Sequence, residues 1–346
     1  PGGKRNMLKT DIMRLAEKMH DSTVADRRHL HAHPELSFCE WNTSSYVKTR
    51  LDEMGIPWKS MANTGVVGMI RGDKPSDRVI ALRADMDALP ITEANDLSYT
   101  STNKGVMHAC GHDAHTSSLL GTAGILNALR SGFGGCVKLI FQPGEEKMPG
   151  GASLMLKEGV LKDPVPGAII GQHVMPEIGT GKIGIRKGKQ MASMDELYIT
   201  VRGRGGHGAQ PHRNIDPVAI AAQLIVALQQ IVSRAAQPTI PTVLSFGKVI
   251  ADGSVNVIPN EVYMEGTFRT LDEQWRTEAH QRMKYMAESI AAGMGGSCDF
   301  RLVRGYPCLT NSPTLTGQVR NIAAEYLGEE NIVDTGIWMA AEDFAY

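Results

Sequence analysis

Short apolar segments alternate with helix-like segments over the first half of this chain, and this alternation constrains the possible folds most strongly. Segments with the length and composition of buried strands lie at 66–70, 79–82, 137–141 and 168–170. Apolar residues recur at helical spacing between them, most clearly at 114–129. Because strands separated by helices need crossover connections, we predict an α/β fold built on a mainly parallel sheet with helices on both faces.

The pattern changes near residue 193. From there to residue 307 the sequence predicts, in order, a strand, a helix, two strands, a helix and a strand. The order β-α-β-β-α-β is typical of a ferredoxin-like α+β domain. We therefore predict a discontinuous α/β domain of residues 1–192 and 308–346, interrupted by a smaller α+β domain of residues 193–307.

Composition argues against several classes of partner. The chain is 42% hydrophobic and 21% charged, with a net charge of −1, which gives no electrostatic reason to expect nucleic acid. We find neither 18 consecutive apolar residues nor a secretory signal, and we expect no membrane association. The five cysteines are odd in number and widely spaced, which favours a reducing, cytoplasmic location over a disulfide framework.

The densest group of chemically active side chains is H-A-C-G-H-D-A-H at 108–115. A thiolate beside imidazoles suits zinc, manganese, cobalt or nickel, and Gly111 would let Cys110 and His112 turn toward one point. Two other interpretations are weighed against metal binding. Asp113 could cap a helix that carries solvated histidines, or Cys110 could be the nucleophile of a thiol hydrolase.

Three further polar groups follow predicted strands. Glu145 and Glu146 follow the strand at 137–141, and one could bind metal while the other acts as general base, although acidic loops are usually only solvated. His173 follows the next strand and, taken alone, fits a structural histidine better. Asp85 and Asp87 could bind metal or orient a ligand histidine. Since ligands of α/β sheets bind beyond the carboxyl ends of strands, we expect one shared site.

Taken together, these motifs resemble the amidohydrolase branch of the aminoacylase and carboxypeptidase G metallopeptidase superfamily. That branch includes hippurate hydrolases, aminobenzoyl-glutamate hydrolases, N-acetyldiaminopimelate deacetylases and auxin-conjugate hydrolases. The resemblance runs almost end to end through R-R-H-L-H-A-H-P-E-L-S at 27–37, A-L-R-A-D-M-D-A-L-P at 81–90, the cluster at 108–115, F-Q-P-G-E-E at 141–146, G-G-H-G-A-Q-P-H at 205–212, V-N-V-I-P-N at 255–260 and A-E-D-F at 341–344.

The resemblance implies a phosphorylase/hydrolase-like, zinc-peptidase type of catalytic domain that holds two divalent metal ions. Cys110 would bridge them, with His112, Glu146 and His173 as further ligands and Glu145 as the general base. The family carries another histidine ligand downstream of A-E-D-F, at a position that would follow Tyr346. Manganese or zinc is expected, and cobalt or nickel would also suit these ligands.

The smaller domain would, by the same resemblance, be a lid through which a homodimer forms. His207 would polarise the scissile carbonyl in its own or the partner subunit's site, and Asn256 and Arg269 would contact the substrate. On local pattern alone these three are weak candidates, since His207 lies in a glycine-rich loop and Arg269 could be a surface charge. Asp87 would orient a ligand histidine.

We therefore expect a cytoplasmic metal-dependent hydrolase that cleaves the amide bond of small N-acyl amino acids with a metal-activated water. A metallo-dipeptidase or aminopeptidase is the alternative among metalloenzymes. A homologue that binds metal without catalysis is the alternative outside them.

Overall fold

The structure is a computed structural model that describes residues 2–346, with side chains described from Met7 onward. The helices are α1 (Gly2–Ala32), α2 (Trp41–Glu53), α3 (His112–Ala128), α4 (Gly151–Lys157), α5 (Pro217–Gln230), α6 (Glu273–Gly293) and α7 (Pro313–Leu327). The strands are β1 (Trp58–Met61), β2 (Gly65–Arg71), β3 (Lys74–Asp85), β4 (Gly134–Gln142), β5 (Ala168–Gly171), β6 (Ile183–Ile185), β7 (Gly188–Met191), β8 (Asp195–Arg202), β9 (Gly206–His207), β10 (Thr242–Ile250), β11 (Val257–Ile258), β12 (Glu261–Thr270), β13 (Ser297–Arg304), β14 (Leu309–Asn311) and β15 (Ile332–Asp334).

The chain divides into two compact units. The first comprises the chain up to Ile185 together with Gly317–Val333, and the second comprises Arg186–Thr316 and Asp334–Tyr346. The predicted boundaries at 192/193 and 307/308, and the assignment of catalytic and lid roles, stay predictions.

The first unit contains a five-stranded sheet in the order β1-β2-β4-β3-β5. Strand β3 runs parallel to β4 and β5, whereas β2 is antiparallel to both β1 and β4. The sheet is therefore mixed, and the prediction of a mainly parallel sheet is not confirmed. An apolar run indicates a buried strand but not its direction, and the short connection between β1 and β2 makes them an antiparallel hairpin.

Strand β4 is buried on both faces of this sheet. Val137, Leu139 and Phe141 pack on one side in a core that includes residues of α2 and α3. Ile140 packs on the other side against residues that include Met155 of α4. Burial on both faces explains why this segment reads as an apolar run and not as an alternating pattern.

The buried Lys138 interrupts that run without leaving its charge unsatisfied. Its ammonium donates hydrogen bonds to the backbone oxygens of Val160, Lys162 and Pro164, at 2.7, 2.9 and 2.9 Å. Three acceptors match the three donors of the group, so this lysine fastens the turn before β5 to the centre of the sheet.

The second unit contains an antiparallel sheet in the order β10-β12-β8-β13. Its main elements follow one another as β8, α5, β10, β12, α6 and β13, which is a β-α-β-β-α-β order. Asp216 and Asp272 cap α5 and α6 by accepting hydrogen bonds from backbone N–H groups of the first turn.

A buried ion pair joins two connecting segments of the second unit. The guanidinium of Arg276 donates to both carboxylate oxygens of Asp195, at 2.6 and 3.0 Å, and His280 contacts the same carboxylate at 2.6 Å. Arg276 also donates to the backbone oxygens of Met194 and Gly305. One side chain therefore ties the segment that precedes β8 to the segment that follows β13.

One helical stretch among the described residues, Pro217–Ala235, is long and apolar enough to cross a membrane by length and composition. Its inward residues Ile220, Leu224 and Leu228 belong to the core of the second unit, as in a core helix of a globular domain. The expectation of no membrane association stays a prediction.

Candidate metal centre

The polar groups that follow β3, β4 and β5 meet at one edge of the first sheet. Asp85 is the last residue of β3, Glu145 and Glu146 follow β4, and His173 follows β5. These three strands are parallel neighbours, so their carboxyl ends lie side by side. The first turn of α3 brings His112 to the same edge, so the structure brings together the groups that the sequence assigns to one shared site.

One group of donor atoms comes from Cys110, His112 and His173. One atom from each lies within 4.8 Å of the others, and the Cys110 Sγ is 3.4 Å from the His173 Nε2. The His173 Nδ1 donates to the backbone oxygen of Val174 at 2.7 Å, so its Nε2 carries the lone pair that faces the thiol. A thiol and two imidazoles thus converge on one point.

The fully buried His112 is held by Asp87, the aspartate that the sequence assigns to orienting a histidine. Its Nδ1 lies 3.2 Å from the Asp87 Oδ1, which leaves the Nε2 facing inward without a hydrogen-bond partner. The Glu146 Oε1, 3.8 Å from that nitrogen, is also buried and without a partner. Burial lowers the pKa of His112, but the carboxylates of Asp85 and Asp87 outweigh it and raise this pKa well above its usual value, so the Nε2 carries a proton when no metal is bound. A metal ion would take the place of that proton between the imidazole and Glu146, so these residues fit a metal ion.

A second group of donor atoms comes from His112, Glu145 and Glu146, again within 4.8 Å of one another. The loop that carries the glutamates is fixed by two buried carboxylates. Glu40 accepts from the N–H of Gly144 at 2.8 Å, and Asp87 accepts from the N–H of Glu146 at 2.9 Å. Sequence reasoning missed Glu40, whose position relative to this loop has no signature in local spacing.

The turn before α3 requires glycine at position 111. Gly111 has φ of 87°, in the left-handed region, and a Cβ there would lie 2.2 Å from the Val174 Cγ2. This close approach lets the loop after β5 pack directly on the segment between Cys110 and His112. The prediction that Gly111 permits a tight turn is consistent with this geometry.

Electrostatics argue against Cys110 as a nucleophile of the thiol-hydrolase kind. Burial raises the pKa of the Cys110 thiol to about 11, whereas thiol nucleophiles depend on a lowered pKa. Burial also raises the pKa of the Glu146 carboxyl above its usual value. A cation at this point would favour the deprotonated form of both groups.

The other histidines of the 108–115 cluster have different surroundings. The Nδ1 of His115 donates to Asp85 at 2.6 Å and its Nε2 accepts from the N–H of Val174 at 2.8 Å, so both nitrogens are engaged. Burial lowers the pKa of His108 to about 4, which keeps it neutral. Both histidines are buried, so the interpretation of a solvated cluster is wrong.

The remaining predicted site residues belong to the second unit. His207 pairs with Val257 between β9 and β11, and the N–H of Gly208 donates to the backbone oxygen of Asn256 at 2.7 Å, so His207 and Asn256 are close neighbours. Arg269, on β12, donates to the backbone oxygen of Met339 at 3.1 Å. Their substrate contacts stay predictions.

Thiol, imidazole and carboxylate donors gather at the carboxyl ends of the parallel strands β3, β4 and β5. This arrangement, in an α/β domain, is typical of a metal-dependent hydrolase. A protein-family model for Peptidase family M20/M25/M40 matches residues 81–346, and the chain belongs to this family. It is a hydrolase of that family, and the resemblance inferred from its motifs is confirmed.

Relatives extend the comparison over most of the chain. The N-acyl-L-amino acid amidohydrolase of Geobacillus stearothermophilus is 45% identical over 306 residues, covering 88% of this chain and 82% of the relative. The N-acetyl-L-cysteine deacetylase of Bacillus subtilis (strain 168) is 40% identical over 345 residues, covering 97% of this chain and 82% of the relative. The crystal structure of the Bacillus subtilis YXEP protein, a dinuclear metal-binding peptidase from the M20 family, superposes with a TM-score of 0.81 at 38% identity, covering 95% and 85%.

Proposed function

We propose that this protein is a two-metal amidohydrolase that cleaves the amide bond of small N-acyl amino acids. The observation that carries the proposal is the unsatisfied pair formed by the His112 Nε2 and the Glu146 Oε1, 3.8 Å apart in a buried space beside Cys110 and His173. The substrate class is supported by the names of the amidohydrolase and deacetylase relatives.

Cys110, His112, Glu146 and His173 would hold the metal ions. Two overlapping donor groups place the sulfur of Cys110, the nitrogens of His112 and His173 and the carboxylates of Glu145 and Glu146 close together. The description of the similar YXEP protein as dinuclear supports two metal ions. The mixture of sulfur, nitrogen and oxygen donors suits manganese or zinc, and cobalt or nickel would also bind. When bound, the metals supply Lewis acidity that lowers the pKa of water and polarises the amide carbonyl.

Glu145 is the general base in the proposed reaction. Its carboxylate is buried beside Glu146 and His112, within reach of a water at the same point. Glu145 takes a proton from the attacking water as the carbon–oxygen bond forms, and it returns that proton to the amine nitrogen as the carbon–nitrogen bond breaks. The products are a carboxylic acid and a free amino acid.

The second unit would act as a lid that closes over the substrate. His207 would stabilise the developing negative charge on the carbonyl oxygen, Asn256 would contact the substrate, and Arg269 would bind its carboxylate through paired hydrogen bonds. A homodimer through this unit is supported by its edge strand β10, where Val249 and Ile250 are exposed. We further propose a cytoplasmic location without nucleic-acid or membrane partners.

The first experiment is a substrate panel assayed before and after chelation. It would contain N-acetyl amino acids including N-acetylcysteine, hippurate, N-acetyldiaminopimelate, aminobenzoyl-glutamate and dipeptides with a free amino group. We expect hydrolysis of one or more acylated substrates, loss of activity with chelator, and recovery with manganese or zinc. Cleavage of the free-amine dipeptides alone would favour a metallo-dipeptidase or aminopeptidase. Metal binding without hydrolysis would favour a non-catalytic homologue.

The role of Glu145 has its own test. In Glu145→Gln we expect metal content to stay at the wild-type level while kcat falls by about 100-fold or more, because a general base contributes on that order. Glu177→Gln is the matched control, since Glu177 is an exposed glutamate of the first unit. Most of the wild-type turnover in metal-loaded Glu145→Gln would contradict this role.

A further inference from the structure

A largely buried network of four charged side chains includes Asp113 in the first turn of α3. Arg27 and His31 come from α1, Asp113 comes from α3, and Glu93 comes from the connection between β3 and α3. The Asp113 Oδ2 lies 2.8 Å from both the Arg27 Nε and the His31 Nδ1. The His31 Nε2 lies 3.0 Å from the Glu93 Oε1.

The geometry determines the charge of His31. Both of its ring nitrogens face carboxylates, which only accept hydrogen bonds when ionised, so both nitrogens must donate. His31 is then an imidazolium, and the four side chains form a neutral set of two cations and two anions. The hydrogen bond to Asp113 raises the pKa of His31 above its usual value, against the lowering effect of burial.

The network holds the turn that carries His112 through the residue next to it in sequence. Asp113 directly follows His112, and the residue at the helix N-cap is Gly111, which has no side chain to fix the turn. Asp87 contacts the ring of His112, and the ion pairs of Asp113 connect the same turn to α1.

Glu93 connects the same network to the segment that leads to Cys110. Its second oxygen accepts from the N–H of Ser101 at 2.7 Å, and the N–H of Thr102 donates to the backbone oxygen of Ala32 at 2.8 Å. The chain on both sides of Cys110 is therefore anchored to the end of α1 that carries His31.

We propose that His31, as an imidazolium between Asp113 and Glu93, is a positioning residue for the metal centre that presets the separation of Cys110 and His112. This inference rests on the metal centre of the proposed function. His31 touches no proposed metal ligand and acts through Asp113 and Glu93. Removing such an outer partner costs about 10–100-fold in metal affinity in other metalloproteins.

The test is cobalt binding to the metal-free chain, followed by the near-ultraviolet absorption of the thiolate–cobalt bond. For His31→Gln we expect a cobalt Kd about 10–100-fold higher than wild type, with a weakened or displaced thiolate band. His280→Gln is the matched control, because His280 also contacts a buried carboxylate, at 2.6 Å, but in the second unit. His20→Gln controls for loss of an exposed histidine of α1. Both controls should retain the wild-type Kd and spectrum.

If His31→Gln does not fold, as judged by circular dichroism, Glu93→Gln is a milder substitution that tests the same network. It removes one charge and keeps an oxygen acceptor for His31, and we expect a smaller rise in the cobalt Kd with the same kind of spectral change. A folded His31→Gln or Glu93→Gln with wild-type affinity and spectrum would overturn the positioning role alone. A wild-type chain without a thiolate band, with Cys110→Ser binding cobalt equally well, would overturn the metal centre and this inference together.

Discussion

The Nδ1 of His112 lies 3.2 Å from the Oδ1 of Asp87, and this contact fixes which nitrogen of the ring faces the metal centre. The other oxygen of Asp87 accepts from the hydroxyl of Ser37 at 2.6 Å and from the N–H of Glu146 at 2.9 Å. One buried carboxylate therefore orients a proposed imidazole ligand and the backbone of a proposed carboxylate ligand at the same time.

Replacing Asp87 is expected to weaken metal binding more than folding. In Asp87→Ala both His112 and Glu146 lose an orienting partner, and we expect the Kd for zinc or manganese to rise by about 10–100-fold. Competition titration against a chelator of known affinity would measure this change. Asp77→Ala, at an exposed aspartate of strand β3, which ends two residues before Asp87, should leave the Kd unchanged. Equal affinities for the two variants would mean that Asp87 does not orient the ligands.

Metal removal is expected to lower the free energy of unfolding, and this effect should depend on Cys110 as a ligand. Saturation with metal at about 100 times its Kd should add about 2.7 kcal/mol to the free energy of unfolding, which a chelator would abolish. Cys110→Ser should lose most of this metal-dependent part, because a serine hydroxyl is a poor replacement for a thiolate ligand. Urea unfolding with and without metal measures the difference. Cys39→Ser, at an exposed cysteine, should respond to metal as wild type does.

Substitutions at two glycines would distinguish the effect of backbone strain from the effect of steric contact. Gly105 and Gly111 have φ of 80° and 87°, but a Cβ would meet nothing within 4 Å at Gly105 and would lie 2.2 Å from the Val174 Cγ2 at Gly111. Alanine at either position should cost about 1–2 kcal/mol of unfolding free energy from the left-handed conformation. Only Gly111→Ala should also raise the metal Kd, because it pushes apart the segments that carry Cys110 and His173. Equal metal affinities would contradict this account.

The ion pair of the second unit predicts a pH-dependent contribution to stability. Burial alone would raise the pKa of Asp195, but the hydrogen bonds from His280 and Arg276 outweigh it and lower the pKa below its usual value. A lowered pKa stabilises the folded state above the pKa of the unfolded chain, about 3.9, and this contribution is lost as pH falls through the lower folded value.

Asp195→Asn should therefore destabilise by about 3–5 kcal/mol near pH 7, because it leaves the buried Arg276 partly uncompensated. The difference in unfolding free energy between Asp195→Asn and wild type should shrink as pH falls below about 4. Denaturant unfolding at several pH values measures both effects. Asp299→Asn, at an exposed aspartate of β13, should change the unfolding free energy only slightly, and this change should not depend on pH in the same way. A constant difference for Asp195→Asn across the range would contradict the argument.

Much of the first sheet could be predicted from local sequence because its central strands are buried on both faces. The predicted strands at 66–70, 137–141 and 168–170 correspond to β2, β4 and β5. Strand β3 is longer than the predicted 79–82, since its exposed first half has no apolar pattern to reveal it. Strand direction depends on which neighbours pair, and this information is not contained in any single segment.

The candidate site was predictable where ligand residues follow strands, and not where distant segments support them. Glu146 and His173 could be grouped because parallel strands bring their carboxyl ends to one edge. Cys110 and His112 could be recognised from their own dense motif, and the full ligand set from the family resemblance. Glu40 and His31 lie far from these motifs in sequence, and they reach the site only through the packing of the N-terminal helical region. No spacing rule links a carboxylate near α2 to a loop about a hundred residues later.

The contact between Gly111 and the side chain of Val174 also limits the order in which natural variants can arise. A methyl group at position 111 would collide with the valine, so a larger residue there needs a smaller residue at 174 in addition to bearing the strain of the left-handed backbone. The reverse change, a smaller residue at 174, meets no such barrier. In the evolutionary history of this site, substitution at 174 should therefore precede substitution at 111, and the two positions should vary together among descendants.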